Sequence, residues 1–472
     1  METIKTKITQ SLTFKGITIA VLIMLLLIPG TMIQSLIKER QERSREAIQL
    51  INERWSLSQT LCAPLLLIPY TTTRLDTDQN PHSVANMLYV TPKELKINVS
   101  LMPEERYYGI YRAILYRSEI HFEGKFSGLA DLAIENSVFH FDKAQIAIGI
   151  TDLKGVTQNP DFRIDGKALE ADVGAISLFS VSGDHGEQIS TGSRSSNREL
   201  TRNIPGKTLV VDLKNLNLSA DSLPQTLGFN GTMRLNGSSS LNFIPLGQST
   251  EVTVNGQWPS PSFIGSFSPE SEIDSRQFSA TWNVLSFNRE IPATWSHGTT
   301  VNLRNSSFGV NLIRTVDHYQ QNMRSAKYAL MFIALTFVVF FFAEIFTKKP
   351  ILFFQYILVG IALILFYSLL LSFSEQVGFG WAYLIASAAT VLMITVYFNS
   401  LIRQAAATLI LGGIMITLYT FLYVILQIQD FALLFGSIFL FIILGIIMFV
   451  SNKIKLGKAE AAPKSEVKQP VT

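Results

Sequence analysis

Between Tyr328 and Val450 the chain carries only six of its 75 charged residues: Glu344, Lys348, Lys349, Glu375, Arg403 and Asp430. A run of 123 residues with so little charge cannot clothe a water-soluble domain. Its apolar surface needs lipid instead. Five apolar runs fill it, at 328–346, 351–373, 377–398, 405–428 and 431–451, each close to the ~20 residues that cross a bilayer as a helix. A sixth run, 14–37, lies near the N-terminus beside Lys5, Lys7 and Lys15. It is too long for a signal-peptide core, and no Ala-x-Ala-like cleavage site follows, so it reads as an uncleaved anchor. Pro29-Gly30 within it predicts a kink or a break. A soluble cytosolic enzyme is excluded.

Residues 37–54 read as a solvated extension of the first helix, with Glu39 and Arg43 at i,i+4. From about residue 59 to 311 the pattern becomes β. Alternating runs recur at 208–213, 251–254 and 279–284, and Asn230-Gly231, Asn236-Gly237 and Asn255-Gly256 read as turns between strands. No useful helical periodicity interrupts them after about residue 140. The expectation is a large, mostly antiparallel, sandwich-like domain. The polar, Gly/Ser-rich stretch 184–198 reads as a mobile loop.

The resulting fold class is a membrane protein with a signal-anchor helix, a large extracytoplasmic β-sandwich-like domain and a C-terminal bundle of five helices, six spans in all. The expected divisions are 1–37 (N-terminus and anchor), 38–326 (β domain with a helical lead-in), 327–452 (bundle) and 453–472 (disordered cytoplasmic tail). Lys348, Lys349, Arg403, Lys453, Lys455 and Lys458 fall on one side with the N-terminal lysines. The opposite short loops, around Glu375 and Asp430, carry no Lys or Arg. Lys38, Arg40, Arg43, Arg45, Arg324 and Lys327 flank the β region and point the other way. Long domains translocate largely regardless of such charges, so the short loops place both termini in the cytoplasm and the β domain outside.

Motifs for chemistry are missing from the sequence. The six histidines include no i,i+4 pair, and no phosphate-cradling Gly-x-x-x-x-Gly-Lys or Gly-x-Ser-x-Gly elbow occurs. Cys62 is the one cysteine and makes no intrachain disulfide. No cofactor is expected. Asp131, Glu135, Asp142 and Asp152 are the carboxylates from which a glycosidase pair would have to be drawn. A net charge of +3 without a basic stripe excludes nucleic acid as a partner. In the bundle no ionisable residue lies at mid-span, which weakens ion-coupled transport. Glu344 lies four residues before Lys348, a spacing that suggests an interfacial ion pair. Gly378, Ala382, Ala386 and Thr390 recur every fourth residue and predict a close helix–helix contact. In the β domain, Trp258 and Phe263 flank a proline corner, either as a grip for a partner or as core plugs.

The order of features resembles one family. After the anchor come Glu39-Arg40 with Arg43, Gln59-Thr60 and the 64–69 segment with Pro64 and Pro69. Then follow Phe243-Ile244-Pro245-Leu246-Gly247, the 258–263 segment, and Trp282-Asn283-Val284 with Arg289. The junction 308–337 and the helices of 355–386 complete the likeness, which extends over essentially the whole chain to the CreD family of bacterial inner-membrane proteins. Cys62-Ala63 before Pro64 departs from it, where a small residue or glycine is expected. The resemblance implies a role in cell-envelope integrity and colicin tolerance under a two-component response to envelope or β-lactam stress. It brings no catalytic residues. The expected function is therefore non-enzymatic, the binding of a periplasmic polymer, lipid or protein by a protein seated in the lipid bilayer. A lipid or small-molecule transporter and a periplasmic carbohydrate-active enzyme are the alternatives.

Overall fold

The computed structural model describes residues 12–75, 81–174, 178, 207–219, 223–296, 299, 301–312, 318–428 and 431–452. The expected loop at 184–198 and the tail beyond 452 lie outside these. The chain divides into two compact units, Glu42–Val316 and Met1–Gln41 with Asp317–Thr472.

The β unit is built on two sheets. The first runs in the order Pro261–Gly265, Phe308–Leu312, Ser240–Ile244, Gln59–Leu75, Gln145–Ile150, Lys207–Asp212, Ala171–Gly174, with three further strands off this path. The second runs Glu270–Ile273, Phe278–Leu285, Ser249–Gly256, Glu94–Tyr108, Tyr111–Ser127, Thr226–Ser238, Asp161–Ile164, Lys167–Leu169. Pairing is mostly antiparallel. Gln59–Leu75 with Ser240–Ile244, and Ser249–Gly256 with Glu94–Tyr108, are the parallel pairs.

The two sheets are covered differently, and their sequences say why. The apolar run Leu65-Leu66-Leu67-Ile68 is buried on both sides of its strand, as continuous apolar strands are. Leu66 and Ile68 enter the main core, while Leu65 and Leu67 join a second cluster with Cys62, Tyr89, Ile244, Leu246, Ile291 and Trp295. Pro64 is accommodated where the register shifts between Cys62 and Leu65, a position that needs no ladder donor. In the second sheet the strand Glu94–Tyr108 alternates over residues 94–101. Leu95, Ile97, Val99 and Leu101 are buried, and Glu94, Lys96, Asn98 and Ser100 are exposed. Trp282 and Phe308, one from each sheet, meet at 5.3 Å in the shared core.

The Asn-Gly dipeptides are not turns. Asn230-Gly231 and Asn236-Gly237 lie inside Thr226–Ser238, and Asn255-Gly256 ends Ser249–Gly256. A Cβ on Gly231 would stand 2.4 Å from the Phe122 ring, and one on Gly237 2.2 Å from the Tyr116 hydroxyl. These glycines admit cross-strand aromatics rather than reversing the chain.

The helical unit holds α1 (Leu12–Trp55, which continues into the β unit), α2 (His318–Lys327), α3 (Ala329–Thr347), α4 (Phe353–Val377), α5 (Phe379–Ile402), α6 (Ala405–Gln427) and α7 (Ala432–Asn452). Six of these helices are long and apolar enough to span a membrane. The expected break at Pro29 is absent, and α1 runs through it, with the Thr31 hydroxyl donating to the Ile28 carbonyl at 2.7 Å. In lipid an unbroken helix is the cheapest way to pair the backbone. Helix α2, assigned from sequence to the β region, groups with the bundle. Its face of Tyr319, Gln321, Asn322, Ser325 and Ala326 is buried, and it packs on α4.

Candidate functional site

Strand register builds an extended polar surface on the outer face of the second sheet. Thr281 pairs with Thr253, Thr253 with Asn98, Asn98 with His121, and His121 with Thr232. These five uncharged hydrogen-bonding residues form one row across five strands, roughly 19 Å long at the usual strand spacing. His121 Nδ1 lies 2.9 Å from the Thr232 hydroxyl, and the Thr253 and Thr281 hydroxyls are 3.2 Å apart.

Charges flank this row in opposite pairs. Lys96 meets Glu251 at 2.9 Å, Lys125 meets Glu94 at 2.9 Å, and Arg234 meets Glu119 at 3.8 Å. The hydrogen bond and charge of Glu251 raise the Lys96 pKa above its ordinary value. Two concavities open on the same face. One, of about 590 Å³, is lined by residues including Glu94, Lys125, Arg163 and Asn230. The other, of about 750 Å³, is lined by residues including Ser100, Asn255, Glu272 and Asp274. Opposite charges are paired beside the row, and the second concavity adds the carboxylates of Glu272 and Asp274.

The aromatic pair read from sequence is elsewhere. Trp258 and Phe263 are half-buried against the main core, and Phe263 stands edge-on to Trp282 at 5.7 Å. This arrangement gives both rings a packing role. Among the four carboxylates, Asp131, Glu135 and Asp142 are exposed. Asp152 is occupied by the chain itself: its carboxylate accepts from the Ser56 hydroxyl at 3.1 Å, the Leu57 amide at 3.2 Å and the Lys154 amide at 3.0 Å. Among the described residues, no three His, Cys, Asp or Glu side chains are grouped as a metal site requires.

Arg289, quoted above only for the likeness it carries, proves to be a clamp. It is 7% exposed and donates to the carbonyls of Gly247 at 3.1 Å, Leu246 at 2.8 Å and Ile291. Burial lowers its pKa to about 10. One side chain thus ties the Phe243–Gly247 segment to the Trp282–Arg289 segment. Nothing in the spacing of residues 247 and 289 announces this contact.

In the bundle, Ala382, Ala386 and Thr390 are buried on α5, which packs against α4 and α6. Gly378 is not on that face. It is exposed at the α4–α5 turn with φ +82°, a conformation that favours glycine. The expected Glu344–Lys348 pair does not form, because α3 ends at Thr347 and Lys348 takes a positive φ of 53°, out of i,i+4 geometry. Glu344 instead pairs with Lys15 of α1 and accepts from the Tyr356 hydroxyl at 3.2 Å. Lys349 donates to the Ile402 carbonyl. Lys15, the 348–349 loop and the α5–α6 turn therefore share one end of the bundle.

A family model described as "Inner membrane protein CreD" matches residues 11–456. The chain belongs to the CreD family. A curated relative, "Inner membrane protein CreD" of Escherichia coli (strain K12), is 28% identical over 457 residues, covering 95% of this chain and 94% of the relative. The match runs through both units, so the polar sheet face and the helical bundle both lie within the family's length. CreD membership and six apolar helices together make this an inner-membrane protein.

Proposed function

We propose that this CreD-family protein supports cell-envelope integrity without catalysis, by holding an extended polar partner on the outer face of its second sheet. The carrying observation is the difference in cover. The centre of the first sheet, around residues 65–68, is packed on both faces, whereas the second presents an uncharged hydrogen-bonding row between two concavities. A polar polymer of the envelope, glycan or peptide, matches that lining better than lipid does, since an acyl chain would leave those donors and acceptors unpaired. Envelope-stress and colicin tolerance would follow from such binding.

The charge bias of the short loops supports a β unit outside the cytoplasm with both termini inside. Lys15, Lys349 and the α5–α6 turn lie at one bundle end, as that topology requires. Catalysis has less support, because Asp152 is engaged by backbone and hydroxyl donors.

Arginine introduced at Thr253 would block the row, and at Ser100 the adjoining second concavity, while leaving the core intact. In a strain lacking the native copy, Ser100→Arg and Thr253→Arg are expected to lose envelope resistance at normal folded yield. Full resistance in both variants would remove the surface from consideration. Loss of function in a folded Asp131→Asn, Glu135→Gln or Asp142→Asn protein would instead favour an enzyme.

A further inference from the structure

Helix α4 carries polar residues near both ends, and the two groups are in different states. Tyr356 lies near the start and Ser374 near the end, 18 residues or about 27 Å apart along a helix. At the first, Lys15, Glu344 and Tyr356 satisfy one another. At the second, α2 is stitched to α4 by Asn322 Nδ2 to Ser374 Oγ at 2.7 Å and by the Tyr319 hydroxyl to Glu375 at 3.1 Å. Here three buried atoms have no hydrogen-bond partner among the described residues: Gln321 Oε1, Asn322 Oδ1 and Ser325 Oγ. Their residues are 7%, 2% and 0% exposed.

The orientation of Asn322 is fixed by its surroundings. Its nitrogen donates to the His318 carbonyl at 2.8 Å and to Ser374 Oγ, whose own proton goes to the Leu371 carbonyl at 2.8 Å. Both positions need a donor, so the amide cannot be flipped and Oδ1 is the orphan. Ser325 follows Gln321 by four residues and Asn322 by three, so it lies one turn from each on the buried side of α2. Every orphan is an oxygen. An anion would face only lone pairs or a single hydroxyl proton, and a divalent ion normally demands carboxylates. Neutral carbonyl and hydroxyl oxygens, in contrast, replace the hydration shell of an alkali cation. The neighbouring Glu375 reinforces that sign.

We propose that the seam between α2 and α4 binds a small monovalent cation through the side-chain oxygens of Gln321, Asn322 and Ser325. This inference stands independently of the sheet-face reading.

The test is thermal unfolding of the full-length protein in detergent, in lithium, sodium, potassium or N-methylglucamine chloride at equal ionic strength. One alkali ion should raise Tm saturably over the bulky organic cation, by about 1–3 °C at ten times its dissociation constant. Ser325→Ala and Asn322→Leu should flatten that response. Equal Tm in all four salts, the behaviour of a site filled only by water, would overturn the proposal. So would an ion response that persists unchanged in Ser325→Ala, which decides the matter if Asn322→Leu does not fold.

Discussion

The two sheets share one core but have opposite outer faces. The strand Gln59–Leu75 sends Leu66 and Ile68 one way and Leu65 and Leu67 the other, and both directions end in packed side chains. The strand Glu94–Tyr108 sends Leu95, Ile97, Val99 and Leu101 inward and leaves Lys96, Asn98 and Ser100 open. The centre of the first sheet is therefore committed to stability on both sides. The second has one side left over, and that side carries the polar row.

This contrast predicts a graded set of effects. The largest belong to the first sheet. Leu67→Ala should cost about 2–5 kcal/mol by leaving a cavity beneath a fully buried strand. Asn98→Ala, on the open face, should stay within about 0.5 kcal/mol. Unfolding of the two variants in denaturant measures the difference directly, and similar costs would break the comparison. Arg289→Ala comes next, at about 3 kcal/mol, because buried carbonyls lose their donor. If Arg289→Lys restores little of that loss, the fork geometry rather than the charge is what matters.

Trp258→Ala sharpens the comparison at its edge. As a half-buried lid on the core, it should lower stability by about 2 kcal/mol, less than a fully buried tryptophan. Envelope resistance should then fall only in proportion to folded yield. A resistance defect at full yield would instead return Trp258 to the binding surface.

The smallest effect concerns Cys62, on the doubly covered sheet. Burial raises its pKa to about 12. A thiol reagent at pH 8 should therefore leave the native protein unlabelled and react after denaturation. Because the folded pKa lies above the unfolded value, the thiol's contribution to stability is intact below about pH 9 and is lost as pH rises towards 12. Ready labelling of native protein would show that this sheet face is open after all.

Much of this architecture was legible in the residues. Six apolar runs became six helices, and the alternation at 279–284 became the strand Phe278–Leu285 with Ala280, Trp282 and Val284 inside. What stayed hidden depended on distance in sequence. Glu344 finds Lys15, 329 residues away, and not the lysine four residues on. Arg289 reaches back to Gly247, and Gly231 and Gly237 make room for rings from a neighbouring strand. Local patterning indicated which side of each strand faces inward, but which sheet would be covered twice emerges only from assembly. The polar row is hidden for the same reason, since its five members come from five separate strands and lie side by side only through register.

The central claim, that the open face of the second sheet is the working surface, can be tested in living cells by site-specific photo-cross-linking. A photoreactive residue placed at Asn98 or Thr253 samples the row. The same residue at Leu50 or Val138, both exposed elsewhere on the β unit, serves as the control. The account predicts a discrete, reproducible adduct from Asn98 and Thr253 and none from the control positions. Adducts from Leu50 or Val138 with none from the row would contradict it.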